Sequence, residues 1–534
     1  MKTNLHRRIA TVALLVTVPL SLGFAQGAPK NATSRSTQPS ALRVEETTIA
    51  SIHAAFAAKK YNCHQLVQRY LDRIAAFDKR GPDINSLILV NPNAIAIADS
   101  LDKRFAASGP VGDLHCIPMI VKDNYETHDM QTTGGSLALK GWIPQQDATM
   151  VRKIREAGAI VLAKSNMAEW AFTPYETVSS ILPGYTHNPY ALDRVTAGSS
   201  GGTAAAVAAS FGEVGLGTDT GNSIRGPSSH QALVGIRSTM GLTSRAGVIP
   251  LSNAADIAGP MARTVVDAVA VFQVVAGEDP DDAVTAVATT HRDKDYRLAV
   301  KAGGLKGARI GILHQAYERP APDSEIVSVF AKAVDAMKAQ GAIVVDFPAL
   351  PDSAMRGRGS CGGFKPDLAG YFAKRGANAP VKSVDDILKS GLYHPSILAN
   401  LQRAQTGAEN SDTSAACQSN KLSRQRMRDA VTSLMDSLKL DALVYPTWSN
   451  PPRLIGDLNT PAGDNSQVFS PTTGFPAITV PMGYTRDNKL PAGMTFFGRA
   501  WSESKLITLA YGFEQATKHR RAPASTSTTI ATLR

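Results

Sequence analysis

The stretch Gly198-Ser199-Ser200-Gly201-Gly202, with Gly217-Thr218-Asp219-Thr220-Gly221-Asn222-Ser223-Ile224-Arg225 shortly after it, governs the reading of this chain. It holds two serines, Ser199 and Ser223, 24 residues apart, each in a glycine-rich turn. Lys122 stands 77 residues before Ser199 and closes the apolar run Ile117-Pro118-Met119-Ile120-Val121. A serine hydroxyl is a poor nucleophile at its free pKa and needs a base within hydrogen-bond reach. Glycine lets backbone approach a ligand and turn without a Cβ penalty. Two serine-bearing glycine loops and a lysine at a strand end are the parts of a lysine-activated serine hydrolase.

Other readings of the same residues are weaker. A linker would not run straight into the alanine-rich helical segment at 203–209. A phosphate-cradling loop would carry Lys followed by Ser or Thr after its glycines. Here Thr203 follows and no lysine is near. Gly215-Leu216-Gly217 lacks the third glycine of a dinucleotide loop. Ser200, flanked by Gly198 and Gly202, fits the Gly-x-Ser-x-Gly elbow of a Ser-His-Asp enzyme. That alternative needs an acid and then a histidine downstream, and His230, His291, His314, His394 and His519 stand in no suggestive setting. Ser502-Glu503-Ser504-Lys505 has Ser-x-x-Lys spacing but no Lys-Thr-Gly partner, and reads as a helix start.

Around these loops strand and helix patterns alternate. Thr47 and Thr48 are N-cap candidates for a helix burying Ile49, Ile52, Ala55 and Phe56. A second amphipathic helix follows on Leu66, Val67, Tyr70, Ile74 and Phe77. Buried strands are expected at 117–121, 159–163, 214–217, 308–312, 342–345 and 442–445, with helices at 149–157 and 204–209. This alternation argues an α/β class fold with a sheet between helix layers. Residues 352–425, rich in glycine and then in polar residues, are expected to be an irregular insertion, either a lid or a substrate-facing helical insert.

The N-terminus reads differently. Lys2, Arg7 and Arg8 precede an apolar stretch at 9–24 and small residues around Gly23-Phe24-Ala25. That order is expected of a secretory signal peptide, residues 1–25, with an uncleaved anchor as the rival. Pro19 in the apolar stretch favours cleavage after Ala25. No second apolar run approaches the ~20 residues that span a bilayer, so no stable membrane association is expected once the leader is gone. Residues 26–43 read as a flexible linker and 526–534 as a tail. Cleavage would bring the net charge from +11 to +8. The remaining basic residues are scattered, the longest cluster being Lys518-His519-Arg520-Arg521. A nucleic-acid binder concentrates its charge on one stripe with aromatics interleaved, so none is expected as a partner. Of the four cysteines, Cys361 and Cys417 flank one segment and are the favoured disulfide pair, which export permits. No CxxC or histidine-rich spacing points to a metal.

Residues 197–227 resemble the glycine- and serine-rich signature of the amidase signature family, and Val121-Lys122-Asp123-Asn124 resembles that family's lysine motif. The resemblance extends through 158–167, 235–262 and Gly474-Phe475-Pro476-Ala477-Ile478-Thr479-Val480-Pro481. The leader and the ending Phe497-Gly498-Arg499-Ala500-Trp501-Ser502 are most similar to the bacterial exported peptide amidase branch. The resemblance implies a single large α/β/α domain, residues 44–525, with a mixed central sheet. It implies hydrolysis of a carboxamide to acid and ammonia, without metal, cofactor or obligatory protein partner. Peptide C-terminal amides are the expected substrates, with small aliphatic or aromatic amides as the alternative. An ammonia-donating subunit of a tRNA amidotransferase carries the same triad, but its work is cytosolic and needs partners, so the expected export leader argues against that reading.

Carried over residue by residue, Ser223 attacks the carbonyl, Ser199 relays the proton and Lys122 is the base. The family holds the relay serine after a cis peptide, here Gly198–Ser199. Lys122 must be neutral to act, so burial must disfavour its charged form by roughly 3–4 kcal/mol. The oxyanion falls to backbone N–H groups of Thr220, Gly221, Asn222 and Ser223. The family pattern Gly-Gly-Ser-Ile-Arg is broken here by Asn222, which tolerates positive φ and bears on substrate preference. Asp219 and Arg225 read as a buried ion pair clamping the loop, and His187 and His230 as packing residues. Asn166-Met167 and Gly134-Gly135-Ser136 are pocket-lining by resemblance only.

Overall fold

The apolar runs pair into one eleven-stranded sheet, in the order β1-β3-β2-β4-β6-β5-β10-β11-β9-β7-β8. The strands are β1 (Leu87–Val90), β2 (Pro118–Lys122), β3 (Ile160–Ser165), β4 (Val214–Asp219), β5 (Val234–Arg237) and β6 (Ile257–Ala262). They continue as β7 (Arg309–Ile312), β8 (Ile343–Asp346), β9 (Ala442–Pro446), β10 (Ala477–Thr485) and β11 (Leu490–Phe497). This is a computed structural model describing residues 42–318, 322–356, 361 and 363–527. The leader, the linker up to residue 41 and the tail beyond 527 lie outside the described residues.

The sheet is mixed. β3, β2 and β4 run parallel, as do β9, β7 and β8, and an antiparallel set of β6, β5, β10 and β11 joins the two groups. Every residue of β2, β3 and β4 is buried, as expected of parallel strands covered on both faces by helices. The helix Ser324–Ala339 makes the crossover from β7 to β8, and Glu503–Thr517 packs on β10. The edge strands β1 and β8 lose this cover most. The fold is thus the sheet between helix layers that the alternation implied, mixed in direction as the family resemblance implied.

Two expectations need correction. Strands β1, β5, β6, β10 and β11 are absent from the strands expected on local pattern. β6 contains Gly259 and Pro260, and β10 contains Pro481 beside a bulge at Pro481/Gly483. Glycine and proline ordinarily argue against a central strand, and here long-range antiparallel partners override them. Nor is 352–425 irregular: its described residues form helices Phe364–Arg375, Val384–Ser390 and Leu398–Gln405, and the long helix Ala415–Ser437 starts within it. Phe364, Leu368, Phe372, Ile387 and Leu401 pack on Trp142, Trp170 and Ile249. Burying each such side chain contributes about 1.5–3 kcal/mol, which fastens the insertion to the core.

Cys361–Cys417 are bonded, with Cα atoms 4.8 Å apart, and so are Cys63–Cys116 at 5.8 Å, a pair that the sequence alone does not announce. Closing loops of 53 and 56 residues stabilises by about 4 kcal/mol each in the chain-entropy model. Among the described residues no helix is long and apolar enough to cross a membrane.

Candidate active site

Lys122 is the last residue of β2, and β2 pairs in parallel with both β3 and β4. The carboxyl ends of three parallel strands therefore meet beside it, which is where open α/β sheets place their ligands. Its side chain is fully buried. Lys122 Nζ lies 2.7 Å from Ser199 Oγ and 2.7 Å from Thr218 Oγ1. Asn124 Nδ2 donates to the same Thr218 oxygen at 3.1 Å. Burial disfavours the ammonium and brings Lys122 down to about 7, with Asp256 and Asp219 working in the opposite direction. The neighbouring Asp123 takes no part: it pairs with the buried Lys164 at 3.1 Å and accepts from Thr133 N at 3.0 Å.

β4 ends at Asp219, and the turn after it carries Ser223. Asp219 Oδ2 accepts from Ile224 N at 3.1 Å and Arg225 Nε at 3.0 Å, while Oδ1 accepts from Arg225 Nη2 and Arg237 Nη1, both at 3.1 Å. The expected Asp219–Arg225 pair is thus a triad completed by Arg237 from β5. Burial would raise the carboxyl, but the two guanidiniums outweigh it and hold Asp219 at about 2. Asp219→Asn should lower stability by about 3–5 kcal/mol, because two buried cations lose their counter-charge. A melting temperature within a degree or two of wild type would refute the clamp. Since the folded value of about 2 lies below the ordinary 3.8, this stabilisation is complete above pH 4 or so and is lost as pH falls through about 2.

With Asp219 binding the amides of Ile224 and Arg225, the N–H groups of Gly221, Asn222 and Ser223 have no acceptor among the described residues. Three adjacent free donors form an anion-receiving concavity. Thr220 Oγ1 donates at 2.5 Å to Asp256 Oδ1, and Asp256 Oδ2 accepts from Leu251 N and Ser252 N at 2.8 and 2.9 Å. A Cβ at Gly221 would meet the Gln467 amide, so a larger residue there would require that side chain to move. Asn222 is not among the residues with positive φ, so the conformational reason expected for it does not apply. Its side chain is fully buried against Gly226, and both amide atoms lack a partner among the described residues.

The other glycine loop leads into the helix Gly201–Ala208, and the Gly198–Ser199 peptide is cis. Gly202 sits where a Cβ would strike the backbone of Asn166 and Ser86. Close packing against the end of β3, rather than positive φ, is why glycine stands there. Ser200 Oγ donates to Thr218 O at 3.1 Å and accepts from Thr218 N at 3.3 Å. It is a brace and not an elbow nucleophile.

Ser223 lies on the floor of a cleft of about 670 Å³, within the ~300–1,000 Å³ range of ligand clefts. One wall carries Phe172 and Tyr175, and the helical insertion supplies the other with Phe364, Asn400, Arg403 and Arg424. Asn166-Met167 and Gly134-Gly135-Ser136 do not line it. The Asn166 amide bonds Thr186 at 3.0 Å and Ser179 at 2.7 Å, behind the site. His230 stacks on Trp448 with ring centroids 4.6 Å apart, and burial pulls it down to about 3, so it is a neutral packing residue. Ser502 precedes the helix Glu503–Thr517, and Lys505 pairs with Asp441 at 3.1 Å. His128, Asp129 and Asp147 cluster outside the cleft, where Arg155 neutralises both carboxylates at 2.7 and 3.2 Å. Sequence reasoning missed Thr218, Arg237 and Asp256. Thr218 alone left a signal, as a polar residue closing an apolar strand.

Residues 65–507 match the Amidase family. The chain is 33% identical over 511 residues to a probable amidase of Arabidopsis thaliana, covering 91% of this chain and 92% of that protein. It is 31% identical over 499 residues to a glutamyl-tRNA(Gln) amidotransferase subunit of Acidothermus cellulolyticus, covering 89% and 95%. Among solved structures, the native peptide amidase of Stenotrophomonas maltophilia superposes with a TM-score of 0.81 at 34% identity, covering 91% of this chain and 99% of that one. A sheet of this order, a lysine buried against a serine at its strand ends and a family match over most of the length converge: the chain belongs to the amidase signature family and is an amidase, a hydrolase of carboxamides.

Proposed function

We propose that the protein cleaves the C-terminal amides of peptides through Lys122, Ser199 and Ser223. The contact that carries this reading is Lys122 Nζ to Ser199 Oγ, 2.7 Å, with both side chains sealed from water. A lysine brought to about 7 by burial is largely neutral in mildly alkaline solution. The neutral amine donates to Thr218 Oγ1 and accepts the Ser199 hydroxyl proton. Ser199 then takes the proton of Ser223 as Ser223 Oγ attacks the carbonyl. The same relay returns a proton to the departing ammonia, and water hydrolyses the acyl-enzyme. The free N–H groups of Gly221, Asn222 and Ser223 are placed to receive the oxyanion, and losing one such donor typically costs about 3 kcal/mol of barrier.

The 34% identity to a peptide amidase and the size of the cleft support a peptide substrate. The likeness to an amidotransferase component keeps a partner-dependent, glutamine-using role as the competing reading. Ammonia release from a panel of peptide amides, small aliphatic and aromatic amides, and glutamine separates these. Peptide amides should give the highest kcat/KM with the purified chain alone. Turnover of glutamine only, and only with added partners, would replace the proposal. The two disulfides support an exported protein, whose leader we infer to be cleaved after Ala25. The intact mass of the mature protein tests that.

Asn222→Gly should shift the ratio of kcat/KM between a peptide amide and a small amide, because an unpartnered buried amide adjoins the nucleophile. An unchanged ratio would reduce Asn222 to a backbone accommodation.

A further inference from the structure

Among the described residues, the lining of the cleft is charged in one sense only: it includes two arginines, Arg403 and Arg424, and no Asp, Glu or Lys. Both come from the helical insertion, Arg403 from the helix Leu398–Gln405 and Arg424 from Ala415–Ser437. Arg403 is exposed, and its guanidinium has no hydrogen-bond or carboxylate partner among the described residues. Arg424 is half-buried, and among the described residues it donates only to the carbonyls of Ala254 and Pro471, at 2.6 and 2.8 Å. Burial and then the nearby Arg428 bring it down to about 10, the behaviour of a cation without a counter-ion.

The acids nearest the cleft are committed elsewhere. Asp256 and Asp464 sit beneath the floor, bonded to Thr220 and Gln467. Glu176, next to Tyr175, faces Arg453. Asp367 accepts from Asn253 N at 2.8 Å and lines a separate cavity of about 290 Å³. A cleft whose own cations lack carboxylates presents a positive field to whatever enters it, and guanidinium groups suit carboxylates in particular.

We propose that this amidase selects substrates whose acyl part carries a carboxylate, held by Arg403 and Arg424 while the amide lies at Ser223. In peptide terms these are acidic peptide amides. Phe172 of the opposite wall and Phe364 of the insertion, in edge contact at 4.8 Å between ring centroids, receive the apolar remainder. The inference rests on the reading of Ser223 as nucleophile, and its test is chosen so that the two fail separately.

The experiment uses N-acetyl dipeptide amides with Glu, Met or Lys at either position, with ammonia release read as kcat/KM. Glu should exceed Met, and Met exceed Lys, at one of the two positions. A roughly five- to tenfold Glu-to-Met ratio is expected at low salt, the range for one or two partly exposed ion pairs. It should fall towards unity near 1 M NaCl, where screening reaches about 3 Å. Arg403→Gln should collapse the ratio, chiefly through KM of the Glu peptide, and Arg403→Lys should keep most of it. Arg424→Gln should act in the same direction. An equal loss on all three peptides in both Gln variants would make the arginines structural and overturn the proposal. A Glu-to-Met ratio at or below one in the wild type would overturn it too, with amide hydrolysis itself intact. No ammonia from any amide would instead remove the reading of Ser223 on which the inference rests.

Discussion

Ser223→Ala should lose at least ~10³-fold in kcat while the protein stays folded, since acyl-enzyme formation has no substitute nucleophile. Ser223 lies on the cleft floor with 5% of its surface exposed, and its hydroxyl makes no bond to another described residue, so the core does not depend on it. The variant should therefore keep its melting temperature and still bind peptide amides. Ser199 is no replacement, because its hydroxyl is sealed below the surface against Lys122. Steady-state ammonia release decides the matter, and residual activity within about tenfold of wild type would sink the assignment of Ser223.

Lys122→Met should lose at least ~10²-fold in kcat, the lower end for removing a positioned general base. The pH profile gives a second test on the wild-type protein. Below about pH 7 Lys122 is protonated and has no lone pair for the Ser199 proton. Above that value it is neutral and competent. The rate should therefore rise with pH through an apparent pKa near 7, and that limb should vanish from whatever activity Lys122→Met retains. A profile flat from about pH 5 to 9 would show that no such base governs turnover. Because Met fills most of the lysine's volume without a charge to desolvate, a fall in activity with little change in stability separates chemistry from folding.

The sequence by itself pointed to the residues proposed for the chemistry. Lys122, Ser199 and the turn carrying Ser223 were legible because each lies in a local pattern, an apolar strand end or a glycine-rich turn, whose meaning needs only a few neighbouring residues. The parallel strands β2, β3 and β4 were legible for the same reason, as continuous apolar runs. The antiparallel centre was not, since β6 and β10 carry glycine and proline and exist only through partners far along the chain. Tertiary structure alone decided that Thr218 meets Lys122, that Arg237 joins Asp219 and that Asp256 holds Thr220. It also turned the insertion from apparent irregularity into the cleft wall that carries Arg403 and Arg424. The physical reason is common to all of these. A buried polar group must find a partner wherever the fold brings one, and no local pattern records which distant residue that will be.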